Sequence, residues 1–237
     1  MRRNVRKLLM LLALCLVCLG VVKAGAASEP IVPATPDVPV LVEQSGSSFV
    51  FKWNYDPQIA SYIKNGLFGY ELTFMNKNGQ VIATENLSEY SSYLKSDYTS
   101  MVYAVVNNTA LKKQAFTVTV RAYVDDRYSA ASEANYIVPH PTVIDFSKNK
   151  IIKWEKVAGA KKYNVYFSTN GKKFKKIGTT SKRSFKINKK MTMNKKYYVY
   201  IDAVGKGFKS TVPTIIPGVS ASKGMESNAS KIWLKRY

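Results

Sequence analysis

Five pairs of lysines, Lys161-Lys162, Lys172-Lys173, Lys175-Lys176, Lys189-Lys190 and Lys195-Lys196, crowd into one stretch of the chain. An ammonium is a compact, strongly hydrated point charge. Paired lysines therefore draw anions in diffusely and with steep salt dependence, without the planar grip of a guanidinium fork. Tyr163, Tyr166, Tyr197, Tyr198 and Tyr200 are interleaved with them. Rings exposed beside polar groups can stack on sugar faces, and exposed apolar patches often mark contacts. The chemistry on offer is attraction and stacking.

Bond-breaking chemistry has no comparable set. The only histidine, His140, stands between Pro139 and Pro141, and Cys15 and Cys18 both fall within the first eighteen positions. That excludes His-rich or Cys-rich metal sites, thiol catalysis and a disulfide scaffold. Gly-rich phosphate loops and nucleophile elbows are missing, and no motif fixes a carboxylate pair. Asp125-Asp126-Arg127-Tyr128 offers two carboxylates but too few further oxygen ligands for calcium. Asn86-Leu-Ser, Asn107-Asn-Thr and Asn228-Ala-Ser match the glycosylation sequon, which matters only in a host with that pathway. The expectation is a non-catalytic chain with no cofactor and no metal. One histidine leaves little scope for a pH switch near neutrality.

The positive charge is unevenly placed. Of 237 residues, 36 are Lys or Arg and 15 are Asp or Glu. From Ala27 to Pro141 there are eight basic and eleven acidic residues, a net of −3; from Thr142 to Tyr237 there are 23 basic and four acidic, a net of +19. The basic part holds 21 Lys and only two Arg, Arg183 and Arg236. Solvated lysines at strand ends ordinarily keep a surface soluble and blunt sheet edges. A surplus this large also draws in polyanions. The step coincides with Pro139-His140-Pro141, where proline fixes φ and denies the preceding residue the helical region.

The chain opens with a targeting signal: Arg2, Arg3, Arg6 and Lys7 precede an apolar run from Leu8 to Val22 that ends in Ala24-Gly25-Ala26. Fifteen helical residues rise about 22 Å, short of the roughly 30 Å hydrocarbon core. The expectation is a signal peptide over 1–26, cleaved after Ala26, and a secreted or envelope-associated chain that meets a membrane only peripherally. Leu14 and Val17, just before the two cysteines, are bulky where a lipoprotein signal wants a small residue.

Short alternating runs rich in Val, Ile, Tyr and Phe, bounded by Asn, Gly, Ser and Lys, fill both halves without a convincing amphipathic helix. In the first half they are Val38 to Val42, Phe49 to Trp53, Phe68 to Met75, Val81 to Glu85, Met101 to Val106, Phe116 to Val124 and Asn135 to Val138. In the second they are Thr142 to Phe146, Lys150 to Trp154, Lys162 to Ser168, Lys173 to Gly178, Arg183 to Ile187, Lys196 to Val204 and Lys209 to Ile216. Both halves share one plan. A Trp closes the second strand in each (Trp53, Trp154). The third reads Tyr70-Glu-Leu-Thr-Phe74 and Tyr163-Asn-Val-Tyr-Phe167. The sixth reads Phe116-Thr-Val-Thr-Val-Arg-Ala122 and Tyr197-Tyr-Val-Tyr-Ile-Asp-Ala203.

These patterns resemble the fibronectin type III module, in two tandem copies over most of residues 36 to 217. The resemblance implies an all-β pair of immunoglobulin-like sandwiches over 36–139 and 142–217, with a linker over 27–35 and a tail over 218–237. It implies that both indoles are core. It also implies a tyrosine corner in the second copy, Tyr197 sending its hydroxyl back to the turn before its strand, and none in the first, where Phe116 holds that place. The first copy departs by a longer connection from Trp53 to Tyr70 and by a Tyr- and Ser-rich segment, Tyr90 to Tyr98, of the composition paratopes use. The Arg-Gly-Asp that some members carry after the sixth strand is absent.

Strand alternation then sorts the tyrosines. If Tyr163, Val165 and Phe167 point inward with Tyr197, Val199 and Ile201, then Tyr166, Tyr198 and Tyr200 point outward. They would form an exposed platform for glycan stacking, or make ordinary cross-strand pairs. The partners implied are an anionic cell-wall polymer, an acidic glycan or another surface protein. Nucleic acid would bind in a test tube for the same electrostatic reason but is no physiological target for an exported chain. The tail's Lys231-Ile-Trp-Leu-Lys-Arg-Tyr237 is a loose end or a basic-aromatic docking segment.

Overall fold

Alternation is what builds this molecule. The computed structural model describes residues 31–91, 94–96, 101–147, 149–192, 195–208 and 230–233, with backbone alone at 65, 94–96 and 230–233. The expected leader, the expected strand over 209–216 and the sequon at Asn228 lie outside the described residues. The described residues belong to one compact unit.

Its first part runs β1 (Val40–Ser45), β2 (Ser48–Asn54), α1 (Ile59–Asn65), β3 (Phe68–Met75), β4 (Val81–Ser88), β5 (Leu94–Ser96), β6 (Met101–Asn107), a 3-10 turn (Leu111–Lys113), β7 (Phe116–Val124), β8 (Arg127–Tyr128) and β9 (Asn135–Ile137). One antiparallel sheet has the order β1-β2-β6-β5; the other has β4-β3-β7-β8, with β9 also on β7. The second part runs β10 (Val143–Phe146), β11 (Ile151–Trp154), β12 (Lys162–Ser168), β13 (Lys175–Thr180), β14 (Ser184–Lys186), β15 (Lys196–Val204) and β16 (Ser230–Trp233). Its sheets are β10-β11-β14 and β13-β12-β15-β16. The described residues thus form two all-β sandwiches, each built of two antiparallel sheets.

Every second residue of the central strands enters a core. Phe49, Phe51 and Trp53 meet Tyr70, Leu72 and Phe74 in the first sandwich; Ile152 and Trp154 meet Tyr163, Val165 and Phe167 in the second. Each indole meets a tyrosine ring at 71°, with centroids 4.9 Å apart for Trp53–Tyr70 and 5.4 Å for Trp154–Tyr163. This edge-on arrangement suits the ring quadrupoles. The tyrosine corner forms as expected: the Thr192 N–H donates to the Tyr197 hydroxyl at 2.7 Å. Phe116 instead packs edge-on against Phe49 and Phe74.

Besides β5, β8 and the 3-10 turn, two further elements fall outside the sequence reading. The long Trp53–Tyr70 connection contains the helix α1, whose seven residues are too few to show a clear period; it buries Ile59 and Tyr62, three positions apart. Part of the tail is a strand: β16 pairs with β15, Trp233 opposite Lys196 and Ser230 opposite Val199. The edge of β15 offers unpaired backbone groups, and a β-prone Lys-Ile-Trp segment satisfies four positions of it.

The two sandwiches meet in a sealed joint. Gln44 accepts the His140 backbone N–H at 2.7 Å through Oε1 and donates from Nε2 to the His140 carbonyl at 3.1 Å. The Ala158 N–H donates to the Lys113 carbonyl at 2.7 Å, and Lys112 meets Glu155 at 3.0 Å. Ala115 and Val138, from the first part of the chain, are members of the second core. The imidazole of His140 lies 2.7 Å from the Tyr200 hydroxyl through Nδ1, with ring centroids 4.7 Å apart. Burial lowers its pKa to about 4.

Two outcomes follow. Tyr197→Phe should lower the unfolding free energy by about 1 kcal/mol, measured by denaturant titration, because the Thr192 N–H loses its acceptor. For His140 the packed state binds the proton less readily than the unfolded chain does. Its contribution is therefore complete above the ordinary histidine range and lost as pH falls from about 6.5 to about 4. That gap corresponds to about 3 kcal/mol. Between pH 7 and pH 4 the unfolding free energy from denaturant titration should fall by about this much more in the native chain than in His140→Asn; equal falls would mean that packing leaves the His140 pKa where it is in the unfolded chain.

Candidate functional site

The turn between β12 and β13 is shaped by its own side chains. The Ser168 hydroxyl accepts the Gly171 N–H at 3.0 Å, and the Asn170 side-chain oxygen Oδ1 accepts the N–H groups of Lys172 and Lys173 at 2.9 and 3.2 Å. Gly171 takes φ 77°, a conformation that a β-carbon disfavours. The lysines that follow are thereby thrown outward from a fixed backbone.

Register shows which lysines come together. Phe167 pairs with Lys175, Tyr166 with Lys176, and Ser168 with Tyr198, so Lys196 stands two positions past the end of that pairing, level with the β12–β13 turn. Ile151 pairs with Lys186 at the same end of the other sheet, and Lys150 donates through Nζ to the Lys189 carbonyl at 3.2 Å. Lys172, Lys173, Lys175, Lys176, Lys189, Lys190, Lys195 and Lys196 therefore share the pole of the second sandwich that points away from the joint. Lys161 and Lys162 do not join them: Lys162 pairs with Val204 at the joint end. All ten are exposed, and none makes a salt bridge among the described residues. Eight like charges at one pole create a potential that recruits anions and falls steeply with salt.

The tyrosines divide differently from the expectation. Tyr166, Tyr198 and Tyr200 all point away from the core, as alternation requires, but they do not form one exposed platform. Tyr200 is 1% exposed. The Pro139-His140-Pro141 linker folds across the outer face of β15 and lays the His140 ring on it, so the nominally wet face is dry at that point. Tyr166 remains half-buried, its ring edge-on to Tyr200 with centroids 6.0 Å apart. Burial, followed by the Asp202 charge, raises its pKa and keeps its hydroxyl protonated. Tyr198, also half-buried, lies one row nearer the lysine pole. Below this pair, Asn164 donates to Asp202 at 3.2 Å and accepts from the Thr179 hydroxyl at 2.9 Å. What remains of the platform is two half-covered rings bordered by lysine.

In the first sandwich, Tyr90 is exposed and Leu94–Ser96 of the Tyr- and Ser-rich segment form β5, while residues 92, 93, 97 and 98 lie outside the described residues. Arg127 pairs with Asp125 at 3.3 Å, and Asp125 also accepts the Leu67 N–H at 2.8 Å, so its carboxylate is spent on holding loops. Among the described residues, no group of three or more His, Cys, Asp or Glu could hold a metal ion, and no helix is long and apolar enough to cross a membrane.

No protein-family model matches the sequence, and no curated protein is similar to it. Among solved structures, the FN1–FN3 domains of chicken CNTN1 are similar over 86% of this chain and 69% of that one, at 12% identity and a TM-score of 0.32. A likeness of that degree adds no argument to the strand pairing described above.

The split among the tyrosines has a measurable consequence. Tyr200→Ala should cost about 3 to 5 kcal/mol of stability, the range for emptying a buried aromatic site. Tyr198→Ala should cost about 1 kcal/mol or less. Thermal or denaturant unfolding of the two variants checks this; equal losses would contradict the covered and uncovered positions assigned to the two rings.

Proposed function

We propose that this protein is a non-catalytic binding module, exported from the cell, whose second sandwich contacts an acidic polymer of the envelope or the extracellular space through its lysine pole. The supporting observation is the convergence of eight exposed lysines, free of salt bridges among the described residues, on one end of one sandwich. Lysine rather than arginine suits a flexible, hydrated polyanion held by summed charge rather than by paired hydrogen bonds. The first sandwich, of net negative sequence, serves as spacer or as a second recognition surface.

A second reading draws on Tyr166 and Tyr198, which remain half-exposed in adjacent rows: a neutral glycan stacks on them. Salt separates the two. Retention on immobilised alginate, a polyuronate, should fall steeply with ionic strength. Replacing Lys172, Lys173, Lys175 and Lys176 by Gln should remove most of it, whereas Lys161→Gln with Lys162→Gln should change it far less. Retention that survives high salt and fails in Tyr166→Ala with Tyr198→Ala would favour the glycan reading. Equal effects of the two lysine sets would sink the idea of a pole.

A further inference from the structure

The longer Trp53–Tyr70 connection, by which the first sandwich departs from the second, builds something the second lacks. Asp56 and Pro57 turn the chain out of β2, and the Asp56 carboxylate accepts the Gln58 N–H at 2.8 Å and the Tyr62 hydroxyl of α1 at 2.8 Å. The Tyr62 oxygen in turn accepts the Ala34 N–H at 3.2 Å, which fastens the segment before β1 across the opening. Between these pieces and β3 lies a pocket of about 180 Å³. The corresponding Trp154–Tyr163 connection of the second sandwich contains no helix.

The lining is aromatic and acidic. Tyr62, Phe68 and Tyr70, each only 2% exposed, form its floor, with ring centroids 5.6 Å apart for the first pair and 5.1 Å for the second. Tyr55 completes the rings, and Asp37 and Asp56 supply two carboxylates. No Lys, Arg or His lines the pocket. Glu71, Asp125, Asp145 and Glu155 each meet a Lys or Arg nitrogen at 3.3 Å or less. Asp37 and Asp56 form no such pair among the described residues. Asp37 is held by the Asn54 side-chain amide, a neutral donor, and Asp56 by a hydroxyl and a backbone N–H. In a chain with more than twice as many basic as acidic residues, this leaves two oriented negative charges on an aromatic recess without a counter-charge of their own. Burial and the nearby Asp56 charge keep the Tyr70 hydroxyl protonated, so the rings stay neutral.

An anion would be repelled here, and two carboxylates without further ligating acids are a poor cage for a divalent ion. An organic cation satisfies both features, because its charge meets the carboxylates while its apolar groups meet an aromatic floor. At roughly 30 Å³ per water-sized unit, the volume holds about six such units, enough for a head group and too little for a whole sugar polymer. We propose that this pocket binds the ammonium end of an organic cation, with Asp37 and Asp56 as counter-charges, Tyr55 beside it and Tyr62, Phe68 and Tyr70 as its floor. The proposal is independent of the lysine pole.

Choline chloride and N-acetyl-lysine methyl ester, titrated into the full chain at fixed ionic strength, test it by calorimetry or NMR shift changes. The neutral carbon isostere 3,3-dimethylbutan-1-ol serves as the third probe. Saturable binding of at least one ammonium probe, with the alcohol bound about tenfold more weakly or not at all, is the expected result. Choline alone binding assigns a small quaternary ammonium; the lysine ester alone assigns a lysine side chain of a partner. Asp37→Asn should weaken binding severalfold, and Asp37→Asn with Asp56→Asn should abolish it. Because Asp37 is exposed and its hydrogen bond runs to Asn54, whereas that of Asp56 holds Tyr62 of α1, its single variant should melt like the native chain even if the double one does not. The proposal fails if neither ammonium probe saturates, if the alcohol binds as well, or if Asp37→Asn binds unchanged.

Discussion

Each sandwich is organised around an indole set edge-on to a tyrosine, Trp53 with Tyr70 and Trp154 with Tyr163. The contact crosses between the two sheets, so it fixes which face of each central strand is inward. Once those faces are set, the period-two geometry of a strand leaves no freedom to the rest: Leu72 and Phe74 follow Tyr70, Val165 and Phe167 follow Tyr163, and the residues between them turn outward. The lysines at the far pole and the tyrosines on the outer sheet hold their places because a one-residue slip would bring them into the core.

Much of this is visible in the order of residues. Strands such as Phe68–Met75, Phe116–Val124, Lys162–Ser168 and Lys196–Val204 have the bounds their alternation implies, since local pattern and burial agree there. The helix α1 was hidden for the opposite reason: seven residues give two buried positions, Ile59 and Tyr62, and two points do not define a period. The lysine pairs read as exposed from composition alone. Their gathering at one pole, with Lys161 and Lys162 left at the other, needed strand register, which pairs residues far apart in sequence.

Tyr200 shows where local reasoning stops. Its outward direction follows from the pleat, but its environment is set by a linker sixty residues earlier that returns to cover it. Nothing near Tyr200 in sequence announces His140. The same holds for Asp37 and Asp56, nineteen positions apart, which share a pocket only because α1 and the segment before β1 close on one another. Sequence reasoning identifies secondary structure where contacts are local and misses surfaces composed of distant segments.

The joint around His140 gives the uneven charge a physical effect that a loose linker would blur. With Gln44, His140 and Tyr200 locked together, the surplus at the far pole keeps a constant direction relative to the rest of the body. Such a body carries a lasting electric dipole, and the field of a charged boundary exerts a torque on it as well as a pull. The molecule would arrive already turned, lysines leading and the aromatic recess trailing, so its approach would be oriented before any atom touched.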